Sequence, residues 1–206
     1  MFLDEKLKEY IEQNVFPQYK KNNTGHQIDH INYVINRCFE LGKGKNIDFN
    51  MLYVIAAYHD IGYHIDSKKH EIVSAQIMYE DKNLRKFFDE AQLKIMKEAI
   101  EDHRASLDRE PRNIYGKLVS SADRNIDIDD SLRRIYLYSI DHFNGLSQDE
   151  TIEECYKHAM KKFSKDGYVK FFFEDEKYKK YLNELRSILD NKEEFVIRLR
   201  KLIAET

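Results

Sequence analysis

The sequence is poor in residues that cross-link or interrupt a chain. Its 206 residues include two cysteines, two prolines and seven glycines, and tryptophan is absent. Cys38 and Cys155 lie far apart and show no metal-ligand spacing, which argues against a disulfide framework and against a cysteine-type zinc site. Two isolated thiols of this kind are typical of buried free cysteines in a reducing compartment. With so few helix breakers, long regular elements are expected.

Long hydrophobic runs and an excess of one charge are also missing. The 34 Lys and Arg residues nearly balance 37 Asp and Glu residues, for a net charge of -3. We therefore expect neither double-stranded nucleic acid nor an acidic membrane surface as a partner. No apolar run reaches the length of a signal-peptide core or a membrane span. These absences predict a cytoplasmic protein that meets any anion locally, and they leave its oligomeric state open.

Apolar residues recur at the three- and four-residue spacing of amphipathic helices in nearly every long stretch. Ile31, Val34 and Ile35 mark one such face, and the segment 42–44, which contains two glycines, is expected to end that helix. The repeated pattern predicts an all-α protein.

The chain shows no internal repeat and no linker-like composition. We therefore predict a single domain over residues 1–206, in which a motif core at 24–130 is followed by packing helices at 131–206. The aromatic segment 168–173 is expected to be helical or irregular.

Histidine and aspartate side chains stand at the ends of several apolar stripes. In the stretch AAYHDIGYH at 56–64, His59 and Asp60 directly follow an apolar run. Any single inward histidine is most often a hydrogen-bonded core residue. Several of them on separate helices would be costly to bury unless one centre satisfied them together. A divalent metal is such a centre, since imidazole and carboxylate suit zinc, manganese, iron, cobalt or nickel.

The order of these residues resembles a known family. The series His…His-Asp…Asp, with HDIG at 59–62 and SADR at 121–124, is similar to the HD superfamily of metal-dependent phosphohydrolases. The resemblance is closest to small stand-alone bacterial members, in which a histidine precedes the first ligand histidine by four residues. It covers the motifs from about residue 24 to 130 and implies a single-domain helical HD-domain fold.

The resemblance also implies a ligand set. Residues that match the four ligands of one metal are His30, His59, Asp60 and Asp123. His70 and His103 match the two further histidines that complete a second metal in the binuclear branch, with Asp60 bridging. The implied cofactor is one or two divalent ions, and the sequence does not choose among Mn, Fe, Co, Ni, Zn and Mg. His70 is also placed to flank a helix start.

The implied activity is that of a metal-dependent phosphohydrolase, in which metal-bound hydroxide attacks a small-molecule phosphate ester or nucleotide. Asp60 is expected to orient the nucleophile, and Asp123 or an outer-shell carboxylate is expected to accept a proton. The sequence does not decide which of these carboxylates is the base. Cationic or imidazole groups beside the ligands are predicted to contact the substrate phosphate, and these are His26, Lys69, Arg104 and Arg124. For Arg124, pairing with Asp127 or Asp129 is an equally good interpretation.

Two other functions fit the same residues. Some HD-fold enzymes hold a mixed-valent di-iron centre with this six-ligand pattern and oxidise carbon, and the filled positions His70 and His103 keep that alternative open. A non-catalytic metal-binding or ligand-sensing module is the third.

Overall fold

The computed structural model describes residues 3–22 and 26–205, and within these ranges it contains α-helices and short 3-10 segments but no β-strand. The all-α prediction is confirmed. The helices are α1 Glu5–Asn14, α2 Ile28–Gly42, α3 Phe49–Tyr58, α4 His70–Glu80, α5 Glu90–Glu101, α6 Ile114–Ala122, α7 Ile128–His142, α8 Gln148–Phe163, α9 Glu176–Asp190 and α10 Lys192–Ala204.

Most of these helices begin at a polar side chain that accepts a hydrogen bond from the first turn. The capping residues are Asp4, Asp48, Asp89, Asn113, Asp127, Ser147, Asp175 and Asn191. Each such cap stabilises its helix by about 1 kcal/mol. Among the described helices, α2 and α4 begin without a side-chain cap.

The chain forms two compact units. The first runs to Arg124 and includes Phe171–Phe173, and the second comprises residues 125–170 and 174–206. A single domain over 1–206 stays a prediction.

In the first unit, α3 is the central helix. Every residue from Met51 to Tyr58 is buried, and α3 packs against α1, α2, α4, α5 and α6. A helix that is apolar on all sides is stable only when neighbours surround it. The apolar run before His59 therefore carries the end of α3 into the core.

The second unit packs α7, α8, α9 and α10 around their own apolar stripes. Leu132 and Ile135 of α7, Cys155 of α8 and Leu199 of α10 are buried in it. The segment predicted as helical or irregular is irregular, and the backbone N–H of Phe172 donates to Ser121 Oγ within the first unit at 3.2 Å.

None of the helices in the described ranges combines the length and the apolar character that crossing a bilayer requires.

Candidate metal centre

Five elements of the first unit bring the predicted ligands together. His30 lies in the first turn of α2, and His59 and Asp60 follow the last residue of α3. His70 is the first residue of α4, His103 follows the end of α5, and Asp123 directly follows α6.

Asp60 lies at the centre of these side chains, and its two oxygens face different histidines. Oδ2 lies 3.3 Å from His59 Nε2 and 3.6 Å from His30 Nε2. Oδ1 lies 3.3 Å from His70 Nε2 and 3.4 Å from His103 Nε2. The Asp60 side chain is only 4% exposed, so it is almost completely shielded from solvent.

Asp123 joins one side of this arrangement. Its Oδ1 lies 3.1 Å from His30 Nε2 and 3.9 Å from His59 Nε2. We call His30, His59 and Asp123 the first half of the cluster and His70 and His103 the second half, with Asp60 shared. Two sets of three have the composition and the spacing of a divalent metal site, His30, His59 and Asp60 in one and Asp60, His70 and His103 in the other.

Backbone carbonyls fix the protonation of three of the imidazoles. The Nδ1 atoms donate to the carbonyl three residues earlier: His59 to Ala56 at 2.8 Å, His70 to Ser67 at 3.0 Å and His103 to Ile100 at 2.6 Å. A carbonyl only accepts, so Nδ1 carries the proton. In the neutral ring, Nε2 then presents a lone pair to the cluster, which is the tautomer that binds metals.

The donor atoms fit a cation. His59 Nε2 and Asp60 Oδ1 are buried, and neither makes a hydrogen bond with any of the described residues. His70 Nε2 and His103 Nε2 lie 3.2 Å apart. Two lone pairs at this distance repel unless a proton or a cation lies between them, and orphaned buried polar atoms are costly. A divalent ion would satisfy all of these atoms together.

The charges of the cluster are strongly coupled. Burial acts to raise the pKa of Asp60 and of Asp123, but the surrounding imidazoles outweigh it and hold both well below the usual range. Burial acts to lower the pKa of His59, yet Asp60 and Asp123 raise it to about 9. For His70, burial and the neighbouring His103 outweigh Asp60, and its pKa is lowered. Two ionised carboxylates thus attract positive charge into a buried site.

Gly62, the glycine of HDIG, is required by close packing. A Cβ at this position would lie 2.7 Å from Val73 Cγ1 and 2.9 Å from the backbone nitrogen of Ser74. The Gly62 N–H donates to Ser74 Oγ at 2.9 Å. Among the described glycines, positive φ occurs at Gly44 and Gly145, not here. The absence of a side chain lets α4 approach the turn that carries His59 and Asp60.

His26, Lys69 and Arg104, three of the predicted substrate residues, lie beside the cluster. His26 Nε2 is 4.0 Å from Asp60 Oδ2, and its ring stacks on Tyr63 with centroids 3.8 Å apart. Lys69 is exposed just before α4. The Arg104 guanidinium donates to the Lys68 carbonyl at 2.5 Å and pairs with Glu71 at 3.3 Å, so it links the turn after α5 to the start of α4.

Arg124, the fourth, is buried. Its side chain is 5% exposed and pairs with Asp123 Oδ2 at 3.2 Å. The partners weighed from sequence are engaged elsewhere, because Asp127 caps α7 and Asp129 pairs with Arg198. The guanidinium is thus buried against a carboxylate of the cluster, and its predicted contact with substrate stays a prediction.

Sequence reasoning did not identify Asn22. Its amide donates to the Asp60 carbonyl at 2.9 Å and to the His26 carbonyl at 3.1 Å, and its Oδ1 accepts from the backbone N–H of His64 at 3.1 Å. Asn22 therefore joins the turn after α3 to the segment that carries His26. A lone asparagine in a polar stretch gives no pattern by which this could be found.

A match to a family model agrees with the family suggested by the motifs. Residues 28–125 match the family model described as HD domain, a range that includes all six residues of the cluster. Among solved structures, the chain is similar to the crystal structure of a predicted HD superfamily hydrolase from an uncultured Thermotogales bacterium. Their identity is 18% and the TM-score is 0.49, over 97% of this chain and 91% of the other. No curated protein matches the chain.

Proposed function

We propose that the chain, whose residues 28–125 match the HD-domain family model, is a metal-dependent phosphohydrolase with up to two divalent ions at the cluster. The observation that carries the proposal is the position of Asp60, whose Oδ2 faces His30 and His59 while Oδ1 faces His70 and His103. A carboxylate shared between two sets of imidazoles is suited to bridging two ions.

Asp60 and Asp123 have different roles in the proposed reaction. A divalent ion bound here would supply an activated water and a positive charge beside a phosphate oxygen. Asp60 is surrounded by imidazoles and would help to hold an ion in either half. Asp123 is 18% exposed against 4% for Asp60, so of these two carboxylates it is the one that water can reach more easily.

Several groups beside the cluster favour an anionic substrate. His70 begins α4, which has no side-chain cap, and the positive end of a helix dipole favours a negative charge. Lys69 adds a solvent-exposed cation at the same place. With 20% of its side chain exposed, His26 is the most accessible imidazole around Asp60 and can donate a proton to a phosphate oxygen or a leaving group.

The direct test uses protein purified without chelator and then loaded with Mn²⁺, Co²⁺ or Ni²⁺. We expect release of phosphate or nitrophenol from a panel of p-nitrophenyl phosphate, bis(p-nitrophenyl) phosphate and nucleoside triphosphates. Asp60→Ala should lose this activity because it removes a ligand from both halves. His26→Gln should retain its metal content and lose turnover. If the loaded protein cleaves no phosphate ester, the hydrolase proposal fails.

A second candidate rests on the filled second half. His70 and His103, which both face Asp60 Oδ1, complete a six-residue set. The same set also suits a di-iron oxygenase. Two irons per chain with oxygen consumption and no phosphate release would identify that activity. A full metal complement with neither activity would indicate a sensing module.

A further inference from the structure

Arg124 contacts both halves of the cluster. Its Nη1 donates to Asp123 Oδ2 at 3.2 Å, and its Nη2 donates to Ser120 Oγ at 2.9 Å and to the backbone carbonyl of His103 at 3.3 Å. Asp123 belongs to the first half and His103 to the second. Because the side chain is 5% exposed, these bonds are shielded from water and their geometry is restricted.

The Arg124 bonds to Asp123 and to the His103 carbonyl each orient a side chain of the cluster. With Asp123 Oδ2 bound to the guanidinium, Oδ1 is left facing His30 Nε2 at 3.1 Å. With the His103 carbonyl bound, the turn after α5 is fixed where the imidazole reaches Asp60 Oδ1 at 3.4 Å. One side chain thus sets the position of a carboxylate in one half and of an imidazole in the other.

The backbone of Arg124 adds a third element. Its carbonyl accepts a hydrogen bond from the Tyr33 hydroxyl at 3.1 Å. Tyr33 lies on α2, one turn after His30. The helix that carries His30 is therefore tied to the same residue.

We propose that Arg124 is a positioning residue that holds the first and second halves of the cluster in register. The inference rests on the proposed function in taking the cluster to be a metal site. A planar guanidinium can reach a carboxylate, a hydroxyl and a carbonyl at fixed angles, whereas a lysine ammonium is a single point of charge on a flexible stem. Arg124→Lys keeps the charge but loses this geometry.

The test compares Co²⁺ binding in the wild type, Arg124→Lys and Arg124→Met by metal analysis, calorimetry and visible absorption. We expect both variants to bind Co²⁺ about 10- to 100-fold more weakly, which is the loss typical of removing a hydrogen-bond partner of a metal ligand. The affinity should fall in both halves of the cluster. The Co²⁺ absorption bands should also change in energy or intensity. Arg37→Met is the matched control, since Arg37 is a buried arginine that pairs with Glu40. It should lower the melting temperature and leave the spectrum unchanged.

Two further measurements keep the outcomes distinct. Should Arg124→Met not fold, Tyr33→Phe combined with Ser120→Ala removes two of the bonds around Arg124 and keeps its charge, and a several-fold loss of Co²⁺ affinity would support the proposal. Imidazole ¹⁵N NMR of the metal-free protein tests it independently of metal, because resonances of His30 and His103 should both move in Arg124→Lys. Wild-type protein that binds no Co²⁺ would defeat the proposed function, not this inference. Folded Arg124 variants with unchanged affinity, spectrum and imidazole resonances would overturn it.

Discussion

His70 Nε2 lies 3.2 Å from His103 Nε2, although 33 positions separate the two residues in the sequence. Each ring already donates its Nδ1 proton to a backbone carbonyl. The facing nitrogens are therefore two acceptors, and Asp60 Oδ1 lies within 3.4 Å of both. Three acceptors around one point are stable together only with positive charge between them. This relationship underlies the proposal of a second metal position.

Replacing one histidine of the second half should change metal stoichiometry without emptying the first half. We expect His103→Ala to reduce the metal content from two ions per chain to one, because His30, His59, Asp60 and Asp123 are untouched. Asp60→Ala should lose both ions. Elemental analysis after gel filtration measures this.

His142→Ala is the matched control for His103→Ala. His142 is exposed at the end of α7 and stacks on Tyr138, so its loss should leave the metal content unchanged. Equal metal content in His103→Ala and the wild type would contradict the assignment of the second half.

Gly62→Ala should weaken the cluster through packing. The added methyl group would lie within 3 Å of Val73 and of the Ser74 backbone nitrogen, so α4 must shift away from the turn that carries Asp60. We expect a loss of about 1–3 kcal/mol in the free energy of unfolding, as for overpacking in a core, together with weaker metal binding at the second half.

Gly44→Ala is the control for Gly62→Ala, because it should lower the free energy of unfolding through backbone strain and not through packing. Gly44 has φ +76, and a methyl group there would meet no atom of a non-neighbouring residue within 4 Å. Alanine at this position should therefore cost about 1 kcal/mol from the left-handed backbone alone. Urea unfolding and Co²⁺ titration measure both variants. Loss of metal affinity in Gly44→Ala, or none in Gly62→Ala, would contradict the packing argument.

Asp102 is predicted to hold the segment after His103 in place. Its fully buried carboxylate accepts from Arg109 at 2.6 Å and from Arg112 at 2.8 Å. Asp102→Asn loses charge-assisted hydrogen bonds to both, for which we expect a loss of roughly 2–3 kcal/mol in unfolding free energy. Glu110→Gln is the control. It weakens an exposed pair with Lys117 and should cost less than about 1 kcal/mol. Similar urea midpoints for the two variants would refute the prediction.

His158 should make the stability of the second unit fall in mild acid. Burial, followed by the charges of Lys162, His142 and Lys161, lowers its pKa from 6.5 to about 4. Between these values the unfolded chain binds a proton that the folded protein does not. The free energy of unfolding is therefore unaffected by His158 above pH 7 and decreases as the pH falls from 6.5 to about 4.

His158→Gln, which is neutral throughout, should flatten that decrease. Urea unfolding of the wild type and the variant at pH 7, 6 and 5 measures the difference, and other titrating groups cancel in the comparison. Parallel pH profiles for the two proteins would show that His158 does not carry the effect.

The helices and their polar ends could be predicted because both depend on short-range patterns. Three- and four-residue spacing of apolar side chains determines which face of a helix is buried, and His59 and His103 could be placed on such faces from the sequence. The apolar run before His59 likewise predicted that the end of α3 lies in the core, where all of Met51–Tyr58 is buried.

The roles of Gly62, Asn22 and Asp102 could not be predicted, because they depend on contacts between segments that are distant in the sequence. The sequence identifies Gly62 only as part of the HDIG motif, whereas the approach of α4 that requires glycine there arises from packing between elements. Asn22 and Asp102 belong to no periodic pattern, and only the fold brings their partners within hydrogen-bond distance.

The sequence by itself determined an all-helical chain and the positions of the HDIG and SADR motifs, since these follow from residue type and local spacing. The resemblance carried by those motifs implied the six ligands. Tertiary structure decided which oxygen of Asp60 faces which histidines and that Arg124 is buried against Asp123 and His103. Distances between side chains from separate helices depend on how those helices pack, and no local pattern in a single sequence encodes them.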